Sequence, residues 1–366
     1  WIGTASMMPF VLLGGLLVTR KLKRFDLVFT FIGISLAITS IVHAQNLSQI
    51  PKMIEHAFLA SPLLFFAFVM LTEPLTTPPT KDLRMVYAVF VGAIFDPIVH
   101  IGNIFSTPEL SLLVGNVFSY IVSPKKKLIL KLKEKEKVAK DTYNFSFISN
   151  TKGFKFKPGQ YLEWTLGHSK SDNRGNRRYF TITSSPSEKE IKIGVKFYPK
   201  PSSFKQTLAN MKVNEMIVAS QLSGEFTLPD DTNKKLCFLA GGIGITPFRS
   251  MIIDMLEKNQ KWDIKIFYSN NTIEDIAYRE IFDKANNELG IETFYTLAIK
   301  DLVPPYWQGE RGFITAQMIE NKMPDYKERM YYISGPRTMV ETFKKILNEM
   351  GIHKSDIKVD FFPGFA

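Results

Sequence analysis

Near the middle of the chain, an arginine, two aromatic rings and a hydroxyl stand on consecutive residues. They are Arg178, Tyr179, Phe180 and Thr181, and a polar loop, 168–176, precedes them. An arginine that enters a strand can hold a phosphate group with its planar fork. Two residues later, a ring on the same strand can lie against a flat cofactor, and the neighbouring hydroxyl can reach a ring nitrogen. The order favours a site for a planar, phosphorylated cofactor, although an aromatic strand is more often part of a core.

Two serines, Ser202 and Ser203, stand at the start of a short predicted helix. Hydroxyls and free backbone N–H groups at a helix N-terminus favour a second phosphate. A serine pair at this position is also typical of a plain N-cap. These two residues are therefore phosphate-site candidates with a structural alternative.

Two glycine-containing turns form a further group of candidates. The first, 241–247, reads GGIGITP between an apolar strand and a helix, and the second, 334–339, reads SGPRTM at the end of a later strand. Glycines let the backbone approach a pyrophosphate, and the helix N-terminus supplies N–H donors and a positive dipole. The candidate cofactor-binding residues in these turns are Gly242, Gly244, Thr246, Pro247, Gly335, Pro336 and Met339.

These groups occur in the order found in the ferredoxin–NADP reductase superfamily, which residues 128–366 resemble. The family's flavin fingerprint is Arg-x-Tyr/Phe-Ser/Thr, and its usual Pro-Gly-Gln-Tyr stands here at 158–161. The resemblance implies FAD, with Thr181 orienting the flavin while NAD(P)H gives a hydride to flavin N5. The family's Gly-x-x-Ser phosphate turn appears as KPSS at 200–203, without the glycine, which leaves FMN as an alternative to FAD.

The same resemblance assigns two further residues to the site. Ser334 replaces the cysteine of the family's Cys-Gly-Pro turn, beside the hydride path. Phe365 corresponds to the terminal aromatic residue that covers the flavin until nicotinamide displaces it, with a packing role for Phe361 or Phe362 as the alternative. The segment 269–271 reads SNN, without an arginine to grip a 2′-phosphate, so NADH is favoured over NADPH.

The elements that must position these residues follow two patterns. Between 128 and 230, short strands and turns alternate with one short helix, which predicts a small antiparallel β-barrel. From 235 onward, strands alternate with helices, which predicts an α/β doubly wound parallel sheet that binds ligands at the carboxyl ends of its strands. We expect an FAD-binding domain over 124–232 and an NAD(P)-binding domain over 233–366.

The first third of the chain has a different composition. Residues 1–124 hold seven Lys/Arg and six Asp/Glu, whereas 125–366 hold 39 and 29, and basic residues fall on alternate connections between apolar runs. A bilayer span needs roughly 17–25 apolar residues, and Lys/Arg mark cytoplasmic loops. This predicts a helical transmembrane domain over 1–123, multi-pass in the cell membrane, with the reductase module in the cytoplasm. The five runs are Ile2–Thr19, Leu27–Val42, Ala57–Leu71, Met85–Ile101 and Leu110–Val122.

This first third resembles the D subunit of Rnf electron-transport complexes and the B subunit of the sodium-pumping NADH:quinone oxidoreductase. The resemblance rests on the segment from Trp1 to Lys21, on FFAFVMLTEPLTTPPT and on PELSLLVGNVFSYI. The hydroxyl-rich middle segment predicts a pocket for a flavin (FMN) or a quinone at Thr72, Glu73 and Thr76, with a plain cytoplasmic turn as the alternative. The family's covalent-flavin motif, Ser-Gly-Ala-Thr, does not occur in this sequence, so covalent FMN is not predicted. The start at Trp1 and the odd span count are expected of a fragment or a processed chain.

Composition also excludes several kinds of site and partner. Cys237 is the single cysteine, so the chain cannot form an internal disulfide, a cysteine-ligated zinc site or a plant-type iron–sulfur cluster, and no metal is predicted. Residues 125–140 hold eight lysines and two glutamates, a net +6 of the chain's +11. Their alternation is typical of a strand, and their place beside the last span favours membrane lipid, not nucleic acid, as the partner.

Together these features predict a membrane-bound flavoprotein oxidoreductase that passes electrons from NAD(P)H through FAD to a flavin, a quinone or a redox partner protein. Two alternatives remain open. A transmembrane haem reductase of the ferric-reductase type carries the same reductase module, but it needs paired histidines, and His43 and His56 flank a loop while His100 stands alone. A non-catalytic subunit of an ion-translocating redox complex is permitted by the departures from the family pattern at 200 and 334.

Overall fold

A computed structural model describes residues 6–22, 24–44, 47–73, 76–122, 127–149, 151, 153–169 and 171–362 of the chain. The chain divides into two compact units, 1–125 and 126–366. The first unit is mainly helical, and the second contains two six-stranded sheets.

The helices of the first unit differ in how well they suit a membrane. They are α1 Met8–Leu22, α2 Phe25–Val42, α3 Ile50–Leu59, α4 Leu63–Phe65 (continued as a π-helix over Phe66–Met70), α5 Lys81–Ala93 and α6 Pro108–Val122. Among the described residues, α2 alone is a single helix long and apolar enough to cross a bilayer, with a mean hydropathy of 2.1 over 18 residues. Ile50–Leu59 and Leu63–Met70 pass the same test as a pair that is bent by 60°. The five-span arrangement therefore stays a prediction.

Aromatic rings and glycines pack the first unit. The ring of Phe31 lies 5.2 Å from that of Phe66 and 5.1 Å from that of Phe95, centroid to centroid. A Cβ atom at Gly115 would come within 2.8 Å of the ring of Tyr87. Small residues at such positions let helices approach closely, which is how helices also pack in membranes.

The predicted span over 85–101 is not a single helix. Helix α5 ends at Ala93, and β1, His100–Ile101, pairs with β2, Ile104–Phe105, in a short antiparallel hairpin. Pro97 cannot continue a helical hydrogen-bond ladder, and Gly102 has a φ of +60°, which suits a tight turn. The prediction of one helix over this run is therefore wrong.

The second unit begins with an antiparallel sheet. Its elements are β3 Leu128–Ala139, β4 Thr142–Ser149, β5 Tyr161–Thr165, β6 Arg177–Thr181, β7 Ile191–Lys196, α7 Ser203–Asn210 and β8 Met216–Ser223. The strand order is β6-β5-β8-β3-β4-β7, and the two edges approach each other where the Thr183 N–H donates to the carbonyl of Lys192 over 2.8 Å. Leu128, Leu130 and Leu132 point into the core and alternate with exposed residues, as the period of a strand requires. The predicted antiparallel barrel is confirmed in this barrel-like form.

A parallel sheet follows in the second unit. Its elements are β9 Leu236–Gly241, α8 Thr246–Lys258, β10 Ile264–Asn270, α9 Arg279–Leu289, β11 Glu292–Leu297, β12 Glu310–Arg311, α10 Ala316–Lys322, β13 Met330–Pro336, α11 Arg337–Glu349 and β14 Ile357–Phe362. The strand order is β12-β11-β10-β9-β13-β14. Phe248 and Phe282 of α8 and α9 pack in one core, and Ile319 and Phe343 of α10 and α11 pack in a second core. Strands alternating with helices in this order confirm the predicted doubly wound fold, and β12, β14 and α10 were not predicted.

A buried polar clamp joins the two sheets of the second unit. Arg249 of α8 donates to the carbonyl of Thr183 over 2.8 Å and to Glu188 over 3.0 Å. Ser250 donates to the carbonyl of Ser184 over 2.6 Å. Burial alone would raise the pKa of Glu188, but its hydrogen bond to Arg249 and the charge of that guanidinium leave the pKa below its ordinary value. The clamp fixes where the parallel strands end relative to β6.

Candidate functional site

A cavity of about 990 Å³ lies between the end of β6 and the carboxyl ends of the parallel strands. It is lined by candidates from the Arg-Tyr-Phe-Thr segment and from both glycine turns. The fold therefore brings together groups that are far apart in the sequence. The candidates that line the cavity are Arg178, Tyr179, Phe180, Thr181, Gly242, Thr246, Pro336 and Met339.

Other candidates lie elsewhere. Phe365 falls outside the described residues. Thr72, Glu73 and Thr76 belong to the first unit. The candidates of the second unit that are not among the lining residues of the cavity are Ser202, Ser203, Gly244, Pro247, Ser334 and Gly335.

Arg178 is a buried cation held by the loop that precedes it. Its Nη1 donates to the carbonyl oxygens of Arg174, Gly175 and Arg177 at 2.8, 3.1 and 2.6 Å. Its guanidinium carbon lies 5.4 Å from the ring centroid of Phe204. Burial lowers the pKa of Arg178, yet an arginine stays charged at any physiological pH. A fixed cation at the wall of a cavity attracts a phosphate group.

Two aromatic residues follow Arg178 on β6. The Tyr179 hydroxyl donates to Oε2 of Glu163 over 2.9 Å, and Arg177 lies 3.5 Å from the other carboxylate oxygen. Burial, with the hydrogen bond to Glu163, raises the pKa of Tyr179 to about 12, so the phenol stays neutral. The ring of Phe180 is half-buried and lies 6.0 Å from that of Phe204. Both rings of the segment line the cavity, as a flat cofactor requires.

Thr181 faces a carboxylate that the sequence did not single out. Its hydroxyl donates to Oδ2 of Asp360, on β14, over 3.5 Å. Burial raises the pKa of Asp360 to about 6, against the effect of the hydrogen bond from Thr181. The alternation of apolar and polar residues over 357–360 is the signal that could have predicted β14. It does not predict that the polar face of this strand turns towards Thr181.

Ser334 lies beside this pair in the sheet. It is the register partner of Asp360 and is fully buried. Its hydroxyl makes no hydrogen bond with any residue that the structure describes. Buried hydroxyls are nearly always hydrogen-bonded, so an unsatisfied one near a cavity indicates a place for a further polar group.

The glycines of the two turns serve close packing and turn geometry. A Cβ atom at Gly241 would lie 2.1 Å from Sδ of Met339, and one at Gly244 would lie 2.3 Å from the carbonyl oxygen of Ser334. Gly242 has a φ of +51°, in the left-handed region that glycine adopts most readily. Gly244 therefore holds the two turns together, whereas Gly242 lines the cavity directly.

The serine pair at the start of α7 is bonded within the chain. Ser202 is the N-cap, and its hydroxyl accepts the N–H of Lys205. The Ser203 hydroxyl accepts the N–H of Asp172 over 3.0 Å and lies 3.0 Å from Nε2 of His168. The Ser203 N–H donates to the carboxylate of Asp172 over 2.9 Å. The structure thus shows the N-cap arrangement for Ser202, with a carboxylate at the helix start.

The other end of the cavity is lined by 269–271, at the carboxyl end of β10, and by Arg337. Arg279 is not among the lining residues, since it pairs with Asp283 at 3.4 Å and stacks 5.2 Å from the ring of Tyr295.

The hydroxyls near the candidates of the first unit are bonded to the backbone. The Thr72 hydroxyl donates to the carbonyl of Phe68 over 2.8 Å, and those of Thr76 and Thr77 donate to the carbonyl of Glu73 over 3.3 and 3.1 Å. These hydroxyls bond to the backbone, as in the plain turn that was the alternative. A carrier site here stays a prediction.

Comparisons with known families divide the chain into three parts. Residues 1–126 match the NQR2, RnfD, RnfE family, residues 129–227 match the oxidoreductase FAD-binding domain, and residues 238–345 match the oxidoreductase NAD-binding domain.

Two curated relatives match the reductase part. One is the glycine betaine monooxygenase reductase subunit of Chromohalobacter salexigens, 28% identical over 211 residues, which are 57% of this chain and 56% of the relative. Another is the F subunit of the Na(+)-translocating NADH-quinone reductase of Marinomonas sp., 29% identical over 202 residues, which are 51% of this chain and 49% of the relative. The chain thus spans about half the length of these relatives.

Solved structures share the fold of the second unit. The cytochrome b5 reductase domain of Ulva prolifera nitrate reductase aligns with a TM-score of 0.54 at 21% identity, over 65% of this chain and 97% of that domain. The Amycolatopsis cytochrome P450 reductase GcoB aligns with a TM-score of 0.58 at 18% identity, over 65% of this chain and 70% of that one. The chain carries a region of the NQR2, RnfD, RnfE family followed by FAD-binding and NAD-binding oxidoreductase domains of the ferredoxin reductase type.

Proposed function

We propose that this chain is a membrane-bound flavoprotein oxidoreductase that takes a hydride from NADH onto FAD and passes the electrons to a carrier in the membrane. One observation carries the proposal: a single cavity is lined by Phe180 and Thr181 of the FAD-binding domain and by Gly242 and Pro336 of the NAD-binding domain. FAD supplies the step from two-electron to one-electron chemistry, and the protein supplies position and electrostatics.

The residues of the cavity suit a flavin. Arg178 offers a buried positive charge to a phosphate, and Phe180 offers a ring face to the flavin system. Thr181 holds its hydroxyl towards the cavity and towards Asp360, where it can orient a ring nitrogen. The unsatisfied hydroxyl of Ser334 supports a polar group of the bound nucleotides nearby.

NADH is the proposed donor in preference to NADPH. The serine and two asparagines at 269–271 line the cavity where a nucleotide ribose would lie at the carboxyl end of the second strand. Neutral side chains there suit a 2′-hydroxyl, and Arg279 is engaged with Asp283 and Tyr295.

We place the first unit in the cell membrane as a multi-pass domain, with the reductase domains in the cytoplasm. The match to the NQR2, RnfD, RnfE family supports this, as do the apolar helix α2 and the bent pair after it. Large apolar side chains are also exposed on α1 and α6, among them Phe10, Leu13 and Ile121. Exposed apolar patches of this kind suit contact with lipid.

The proposed electron acceptor is a quinone or a membrane flavin, reached at Thr72, Glu73 and Thr76, or a redox partner protein. The relative from Marinomonas sp. is named as part of an NADH-quinone reductase, which supports a quinone as the end of the pathway.

Anaerobic reduction of the flavin tests this function. The full chain, purified in detergent and loaded with FAD, should lose the visible absorption band of oxidised flavin when NADH is added, and NADPH should act at least about tenfold more slowly. A flavin spectrum that NADH leaves unchanged would contradict the proposal. A haem absorption band in the purified chain would instead favour the ferric-reductase alternative.

A further inference from the structure

Basic side chains crowd one end of the cavity. Arg174, Arg177, Arg178, Lys196 and Lys205 all line it. Arg177 pairs with Glu163 at 3.5 Å, and Lys196 pairs with Asp275 at 2.7 Å. The other three basic groups lie around the start of α7, where the reductase superfamily places a glycine–serine phosphate turn that this chain departs from.

Lys205 is the most unusual of these groups. Its Nζ donates to the carbonyl of Lys196 over 3.0 Å and lies 5.1 Å from the ring centroid of Tyr198. Burial lowers its pKa to about 8, and the charges of Arg178 and Arg174 act in the same direction. Desolvation alone would not favour an anion, but the two neighbouring guanidinium groups make the local potential positive, so this end of the cavity suits an anion.

Asp172 organises the basic groups. Its carboxylate accepts from the guanidinium of Arg174 over 2.8 Å and lies 3.9 Å from Nη2 of Arg178. The same carboxylate accepts the N–H of Ser203 at the start of α7. Because Asp172 already uses that helix N–H, a phosphate here depends on side-chain donors from the loop and from α7.

We propose that Arg174, Arg178 and Lys205 together hold the diphosphate of FAD, and that Asp172 is the positioning residue that orients Arg174 and anchors the loop to α7. The inference rests on the proposed function. The family resemblance implies the phosphate-binding role of Arg178, but not the roles of the other residues. The loop takes the place of the missing glycine turn, because its side chains supply the donors that a backbone turn otherwise supplies.

Binding of a doubly charged diphosphate beside Lys205 favours the protonated lysine. The groups that face Lys205 are Arg174 from the loop, Arg178 from β6, and the Lys196 carbonyl with the Tyr198 ring after β7. Protonated lysine predominates below pH 8, so FAD affinity is constant there. Above about pH 8 binding takes up a proton, and the affinity falls by up to about tenfold per pH unit.

The test is a titration of flavin-free full chain in detergent with FAD, followed by quenching of flavin fluorescence. Riboflavin, which has no phosphate, is the matched probe for the ring site. At pH 7 we expect Lys205→Gln, Arg174→Gln and Asp172→Asn each to raise the Kd for FAD at least about tenfold and to leave the Kd for riboflavin unchanged. Lys212→Gln, an exposed lysine of the same domain, should change neither value.

A second variant separates charge from shape. Lys205→Arg should keep tight FAD binding and remove the fall in affinity above pH 8, because arginine does not lose its proton. Wild-type FAD affinity in Lys205→Gln and Arg174→Gln would overturn the inference, and so would a parallel loss of riboflavin affinity. In either case NADH would still reduce the wild-type flavin. Failure of the wild-type chain to bind FAD would instead overturn the proposed function.

Discussion

At the scale of single residues, the Thr181–Asp360 contact is the feature with the clearest physical consequence. A carboxylate next to the position expected for the flavin ring has a pKa raised to about 6 by burial. The carboxyl therefore keeps its proton up to about pH 6 and is mostly ionised at pH 7, within hydrogen-bond reach of the hydroxyl of Thr181, a residue that lines the cavity. Asp360 is a positioning residue for Thr181 in the proposed site.

From the raised pKa of Asp360 we predict how the stability of the protein changes with pH. The folded pKa of Asp360 lies above the ordinary value of 3.8, so its contribution to stability is fully present below about pH 4 and is lost as the pH rises through about 6. Asp360→Asn removes this loss. Between pH 4 and pH 8, the stability of the variant relative to wild type should rise by up to about 3 kcal/mol. Thermal unfolding across that range measures the difference.

A control for the same measurement is Asp230→Asn, which changes a fully exposed carboxylate. The thermal stability of this variant should depend on pH in the same way as that of the wild type. If Asp360→Asn does so as well, the carboxyl of Asp360 titrates normally and the account of its burial is wrong.

At the scale of elements, the two glycine turns and the clamp on α8 decide whether the cavity forms. The turn after β9 packs against the end of β13 so closely that Gly244 has no room for a Cβ atom. The Arg249 clamp holds α8, which begins at that turn, against the loop segment that follows β6.

Gly244→Ala should separate the two turns, because the new Cβ atom would lie 2.3 Å from the carbonyl oxygen of Ser334. Overpacking of this kind typically costs about 1–3 kcal/mol, and here it should also weaken NADH binding at least about tenfold. Equilibrium binding of NADH to the FAD-loaded chain measures the effect. Gly167→Ala, at an exposed position with open space around it, is the control and should bind NADH normally.

Arg249→Met should leave Glu188 buried without its guanidinium partner. Removing one member of a buried ion pair costs about 3–5 kcal/mol, so the urea midpoint of the second unit should fall, measured by tryptophan fluorescence. Lys261→Ala, an exposed lysine that follows α8, should have no effect. An unchanged midpoint in Arg249→Met would show that Lys192, 2.6 Å from Glu188, compensates for the lost charge.

At the scale of the whole molecule, a helical unit that matches the NQR2, RnfD, RnfE family precedes an FAD-binding and an NAD-binding oxidoreductase domain. The net charge of +11 does not indicate a nucleic-acid partner, because +6 of it lies in the short lysine-rich segment at 125–140. Since the chain has a single cysteine, the proposed membrane topology can be tested by cysteine labelling with little background.

Cysteine labelling tests the proposed five spans. Cys237 is fully buried and its pKa is raised by burial, so it should not react with a membrane-impermeant maleimide. In intact cells we expect Lys52→Cys to be labelled from outside and Lys81→Cys to be labelled only after the membrane is permeabilised. Labelling of both positions from outside would contradict the proposed orientation.

Much of the second unit could be predicted from the sequence, because strand and helix periods are local properties. The predicted order of barrel and doubly wound sheet is correct, and residues 178–181, which the sequence marks as site candidates, line the cavity. The wrong prediction of a single helix over 85–101 has a local cause as well. Pro97 and Gly102 interrupt an apolar run that hydropathy alone assigns to one helix.

By itself, then, the sequence determined which chemistry the chain can host: the cationic, aromatic and hydroxyl groups of the flavin segment, the two nucleotide turns, and the apolar first third. Only the tertiary structure decided which of these groups meet. Asp360 reaches Thr181, and Asp172 occupies the start of α7, through contacts between segments that are distant in the chain. Such contacts depend on how sheets and loops pack in three dimensions, and no residue spacing along the chain encodes them.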